Sequence, residues 1–97
     1  MLFLVYCTDK PGSLDVRMAN RADHIEWLKA RGDRLKAGGP WMNDSGEMAG
    51  SLLIVDADDA HELSTWLAED PYAKAGLFDR VETRPYKWVF HTPPDLG

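Results

Sequence analysis

The stretch Leu2-Phe3-Leu4-Val5-Tyr6-Cys7 is apolar at successive positions before the chain turns polar at Asp9 and Lys10. A strand with one wet face alternates apolar and polar residues, so an unbroken run calls for cover on both faces. A second apolar run follows at Ser51 to Val55. Between the two runs, Leu14, Met18, Ala22, Ile25 and Leu28 recur three or four residues apart. That spacing predicts an amphipathic helix from Leu14 to Arg31, with Ser13 as N-cap, Asp15 in the first turn and Gly32 as the stop. Ala60, Leu63, Trp66 and Leu67 predict a second helix, opened by Asp59 with Glu62 and ended by Pro71. Further strands are expected over Arg34 to Trp41 and Arg80 to Phe90, the last with an irregularity at Pro85. Asn43 to Gly46 reads as a turn, and Tyr72 to Leu77 as a short turn or helical tail.

The resulting order, β-α-β-β-α-β, defines an α+β fold of ferredoxin-like type: an antiparallel sheet with both helices on one face. The 97 residues suffice for one domain, expected over residues 1–90, with a polar, proline-rich, loose tail over 91–97. Helices on one face leave the other face of the apolar runs uncovered. A second copy of the sheet is the economical cover, giving a homodimer packed through its sheet faces, a dimeric α+β barrel. The alternative is a monomer whose second face carries a ligand or scattered exposed apolar residues.

Charge narrows the partners. Sixteen acidic and 11 basic residues give a net charge of −5. That balance argues against nucleic acid, which needs a basic stripe, and against anionic membrane surfaces. No apolar run approaches the ~20 residues that span a bilayer. The opening residues lack a basic leader, and the single cysteine cannot form an internal disulfide. A cytoplasmic location is the expectation. Cys7, inside an apolar run, reads as a buried, inert thiol.

Chemistry concentrates on a few positions. His24 lies on the first predicted helix, and Asp70 precedes the proline that stops the second. A carboxylate on one nitrogen of an imidazole fixes the tautomer and frees the other nitrogen for proton transfer. The bland alternative places His24 on a solvated face and Asp70 in a turn, bonded to nearby backbone N–H groups. Arg17, Arg21, His24 and Leu28 form a stripe beside the apolar one. The two arginines favour anions, or they are ordinary solvent-facing residues paired with Asp15 or Glu26, a view that suits Arg17 better than Arg21. Gly38-Gly39-Pro40 either lets backbone approach a ligand or kinks a strand. Trp41 either walls a pocket or packs in the core. Tyr72 either offers its hydroxyl to a substrate or packs its ring. His24, His61 and His91 lack metal-ligand spacing, and neither a dinucleotide fingerprint nor a nucleophile elbow is present. No metal or cofactor is therefore expected.

In their order and spacing these segments resemble the YciI-like family (YCII-related domain) from Met1 to about Phe90. The carriers are Leu2–Tyr6 with Thr8-Asp9-Lys10-Pro11, Arg17, Arg21-Ala22-Asp23-His24, Ala37-Gly38-Gly39-Pro40, Gly50-Ser51, and Arg84-Pro85-Tyr86-Lys87. Asp70-Pro71-Tyr72-Ala73-Lys74-Ala75-Gly76-Leu77-Phe78 is the most specific of them. The resemblance implies a ferredoxin-like fold that dimerises through its sheets, and a His-Asp active centre on His24 and Asp70. It also implies a pocket carrying Arg21, Gly39, Pro40 and Tyr72. The segment from Trp41 to Gly50 is shorter than in many relatives, which bears on the pocket rim. The function so implied is cofactor-free acid–base chemistry, elimination or isomerisation, on a small oxygenated or halogenated substrate. The alternative is a non-catalytic dimeric module that binds a small molecule.

Overall fold

In the computed structural model, which describes residues 1–96, the opening apolar run forms β1 (Leu2–Asp9) in the interior of a four-stranded sheet. The remaining strands are β2 (Leu35–Met42), β3 (Met48–Asp56) and β4 (Phe78–Pro85), all paired antiparallel in the order β2-β3-β1-β4. The helices are α1 (Leu14–Ala30), α2 (Ala60–Ala68) and a single turn, α3 (Pro71–Lys74). The fold is ferredoxin-like α+β, as the order of elements predicts.

Burial alternates along β1. Phe3, Val5 and Cys7 are buried and form the core with Leu53, Val55, Ala57 and Leu63. Leu28, Trp66 and Leu67 from the helices pack against this same cluster. Leu4 and Tyr6 point to the opposite face, beside their β3 partners Ile54 and Leu52. Leu52 is 39% exposed. An apolar run at the centre of the sheet thus serves a core on one side and, on the other, a helix-free apolar face that is only partly covered.

The inner face of α1 differs from the one its apolar spacing predicts. Met18 and Ala22 are exposed, and the two buried residues of the helix are Arg17 and His24. The polar stripe turns inward because each of those side chains finds a partner beneath it, which removes the cost of burying it. In α2, the Asp59 carboxylate accepts the Glu62 N–H at 2.8 Å, the expected cap. The Glu62 side chain returns to the Asp58 N–H rather than to that of Asp59.

The last strand ends at Pro85 rather than Phe90. The Tyr86 N–H still donates to the Leu2 carbonyl at 3.0 Å, but β1 begins at Leu2, so later residues have no ladder to join. They fold back instead. The Trp88 indole donates to the Phe90 carbonyl, and Asp95 pairs with Lys36.

On the uncovered face Trp41 lies flat. Its ring stacks on Tyr6 with centroids 5.4 Å apart, and its Nε1 donates to the Cys7 carbonyl at 2.8 Å. This posture requires glycine at position 50, where a Cβ would collide with the indole nitrogen and with the Cys7 carbonyl oxygen. Gly50→Ala is expected to destabilise the fold by about 1–3 kcal/mol through this overpacking. Urea denaturation followed by tryptophan fluorescence checks the value; an unchanged midpoint would show that the indole moves aside at no cost.

Candidate active site

The backbone at residue 70 sets the site. Asp70 has φ −59° and ψ 124°, and Pro71 occupies the first position of α3. Proline forbids continuation of α2 through Asp70 and suits the start of a new turn. The Asp70 carboxylate then caps α3: its Oδ1 accepts the Tyr72 N–H at 2.9 Å. The same oxygen meets His24 Nδ1 at 2.8 Å. Both side chains are buried. The two readings of Asp70, turn residue and imidazole partner, hold at once.

An ionised carboxylate only accepts, so the Nδ1 of His24 carries a proton, and in the neutral imidazole Nε2 presents its lone pair. Among the described residues, Nε2 has no protein partner. It is not sealed in either, since among the described residues the Arg31 Nε alone is both enclosed and unpartnered. Ring stacking holds the imidazole plane. His24 and Tyr72 have centroids 3.9 Å apart and planes 16° from parallel, and the Arg17 guanidinium carbon lies 4.6 Å from the Tyr72 centroid. Two side chains on one face of α1 thus grip the ring that α3 supplies.

Arg17 is not the solvent-facing residue its place beside the apolar stripe suggests. It is 2% exposed. Its Nε and Nη2 donate to the two Asp9 oxygens at 2.7 and 2.9 Å, and Nη2 also reaches Ser51 Oγ at 3.0 Å. Burial alone would lower the Arg17 pKa; the hydrogen bonds and charge of Asp9 outweigh it and the net shift is upward. Arg21 is exposed and, among the described residues, has no ion-pair partner. Burial pushes the Tyr72 phenol up, with the positive charges of Arg17 and Arg21 opposing it, so the hydroxyl stays protonated and able to donate.

These groups border one cavity of about 230 Å³, lined by Arg17, Arg21, His24 and Tyr72, by Ser51 of β3, and by Gly38, Gly39 and Pro40 of β2. Ile25, Leu28, Met48 and Leu53 supply its apolar wall. The volume lies below the roughly 300–1,000 Å³ of sites for drug-sized ligands and suits a single small ring. The structure therefore brings His24, Asp70, Arg21, Gly39, Pro40 and Tyr72 to one place. Gly39, having no side chain, contributes backbone alone, and the space beside it is open, since a Cβ there would meet nothing within 4 Å. Pro40 is accommodated because β2 is an edge strand. Trp41 is on the other face of the sheet and does not border the cavity. Asp9 and Ser51 carry no signal of the site in the sequence; Arg17 shares the helical stripe of His24, and the structure decides between its two readings in favour of a buried residue beside the cavity.

The Cys7 thiol is pushed up to about 12, first by burial and then by the Asp70 charge, which keeps it protonated and unreactive. Among the described residues no group of three or more histidine, cysteine or carboxylate side chains could hold a metal ion, and no helix is long and apolar enough to cross a membrane.

A small α+β domain with a buried imidazole–carboxylate pair at the mouth of its α1–β2 cavity is the class that fold and site define. The chain belongs to the YCII-related domain family, which it matches over residues 1–87. Protein YciI of Escherichia coli O6:H1 is 34% identical over 93% of this chain and 100% of its own length. A protein of Haemophilus influenzae is 32% identical over the same shares. Among solved structures, 5-chloro-2-hydroxyhydroquinone dehydrochlorinase (TftG) of Burkholderia phenoliruptrix AC1100, in complex with 2,5-dihydroxybenzoquinone, is similar at 37% identity and a TM-score of 0.86. The match covers 96% of this chain and 100% of that one. An antibiotic biosynthesis monooxygenase, 12% identical at a TM-score of 0.56, shares the fold alone.

Asp9 neutralises a buried guanidinium, so Asp9→Ala leaves that charge without its partner. The expected loss is about 3–5 kcal/mol of stability. Chemical denaturation measures it, and a loss below 1 kcal/mol would show that Arg17 escapes to solvent.

Proposed function

We propose that this protein is a small-molecule enzyme that performs acid–base chemistry on a hydroxylated, and in one form halogenated, ring. The single observation that carries this is the buried contact between His24 Nδ1 and Asp70, which leaves Nε2 open to a cavity of single-ring size. In this reading His24 is the proton carrier and Asp70 holds its tautomer and orientation. Arg21 and the backbone of Gly39 and Pro40 line the substrate, and the Tyr72 hydroxyl donates to one of its oxygens. The similarity to TftG supports the choice of a chlorinated hydroxyhydroquinone as test substrate.

The elimination balances without an outside oxidant. A ring hydroxyl gives its proton to Nε2, and the ring carbon bearing chlorine takes up a proton. Loss of a second hydroxyl proton then expels chloride with the carbon–chlorine electron pair and leaves a quinone. The net loss is HCl. His24 and the surrounding donors serve both directions of proton movement, and the anionic ring is favoured beside Arg17 and Arg21.

With 5-chloro-2-hydroxyhydroquinone as substrate, His24→Ala is expected to lower kcat by about a hundredfold or more. Asp70→Asn keeps the cap on α3 and lowers kcat less, through the wrong tautomer. Chloride release and quinone absorbance report both. Equal turnover by wild type and His24→Ala would remove the histidine from the reaction, and tight binding without turnover would leave a binding module.

We also infer that a second copy covers the open sheet face. The support is the helix-free side of the sheet, where Leu4 and Tyr6 are half-buried and Leu52 is exposed, which a matching sheet would bury. Sedimentation velocity is expected to give a dimer for wild type and a folded monomer for Leu52→Glu; a monomeric wild type would contradict it.

A further inference from the structure

Among the described residues, Ser51 and Arg17 each keep one hydrogen-bond donor that no protein acceptor takes. The Ser51 oxygen already accepts from Arg17 Nη2. A guanidinium has no acceptor, so the hydroxyl proton must point elsewhere. No protein acceptor takes it among the described residues, and Ser51, although 3% exposed, borders the cavity. On Arg17, Nε and Nη2 are committed to Asp9 and Ser51, whereas Nη1 is not enclosed and, among the described residues, meets no acceptor in hydrogen-bond geometry; the Tyr72 side chain also interacts with the guanidinium and helps to raise its pKa. Arg17 borders the same cavity.

From this we infer that the Ser51 hydroxyl and Arg17 Nη1 form a two-donor site for a negatively charged oxygen of the ligand, facing the same cavity as His24 Nε2. The inference deepens the proposed function and rests on it. It names an enolate- or phenolate-like oxygen as the group the site selects, and it moves the main stabilisation of that charge from the exposed Arg21 to a pair that cannot swing away. Asp9 is the positioning residue. Its two oxygens fix the guanidinium plane, so both donors are in place before the ligand arrives, the arrangement that makes such donors effective. Arg17 polarises the serine hydroxyl it touches, and its positive charge remains because Asp9 outweighs the burial.

The test uses 2,5-dihydroxybenzoquinone, whose anion absorbs in the visible, titrated into the whole protein. Wild type is expected to bind it and to shift its absorption band, since donated hydrogen bonds perturb the oxygens of the chromophore. Ser51→Ala is expected to weaken binding roughly ten- to a hundredfold, the loss expected for one hydrogen bond to a charged group. It should also return the band towards that of the free anion, in a variant that circular dichroism shows to be folded. Equal affinity and an equal band in wild type and Ser51→Ala overturn this inference and leave the role of His24 standing. No binding by wild type overturns the reading of the cavity as a ring-oxygen site, and this inference with it. A crystal of the wild-type complex decides independently of any variant. A ligand oxygen within about 3.2 Å of both Ser51 Oγ and Arg17 Nη1 supports the site, and ligand oxygens placed elsewhere reject it.

Discussion

One oxygen of Asp70 ties together three parts of the chain. It accepts the Tyr72 N–H, which starts α3, and it meets His24, which belongs to α1. The contact is intramolecular and buried, so it joins the first helix to the end of the second through a charge-assisted hydrogen bond with little water to compete. Placing the imidazole fixes the Tyr72 ring against it, and the Tyr72 ring in turn lies under Arg17. Remove the carboxylate and the stack loses its anchor at one end.

The other anchor is the pair of Asp9 and Arg17. It joins the end of β1 to the second turn of α1 and presses the guanidinium against β3 through Ser51. A buried ion pair is weak evidence for net stability, because desolvation offsets much of the attraction. Its value here is geometric. Two buried polar pairs, seven residues apart along α1 at Arg17 and His24, fix how that helix is rotated on the sheet. Apolar contacts alone would allow Met18 and Ala22 to turn inward instead.

The architecture was legible because strand and helix periods differ, and the apolar runs of β1 and β3 stand apart from the spaced residues of α2. Proline at 71 and the cap at Asp59 marked their boundaries by local sterics and hydrogen bonding, which act over a few residues. The rotation of α1 was not legible, because it depends on partners distant in sequence. Nothing near Arg17 announces that Ser51 will accept from it. The posture of Trp41 was hidden for the same reason: it rests on a glycine in the next strand and a carbonyl in the one beyond. The end of β4 was missed because Trp88 and Val89 favour a strand intrinsically, while the ladder that would hold them stops at Leu2.

The wall that β2 offers to the cavity is backbone and a proline ring, at the rim of the sheet, whereas the polar side chains stand on α1, β3 and α3. Container and reagents therefore belong to separate pieces of chain. A hairpin of different length or a bulkier residue at the rim would reshape the opening and leave proton carrier and anion donors where they are. A scaffold divided in this way can exchange one ligand for another by altering its outermost strand.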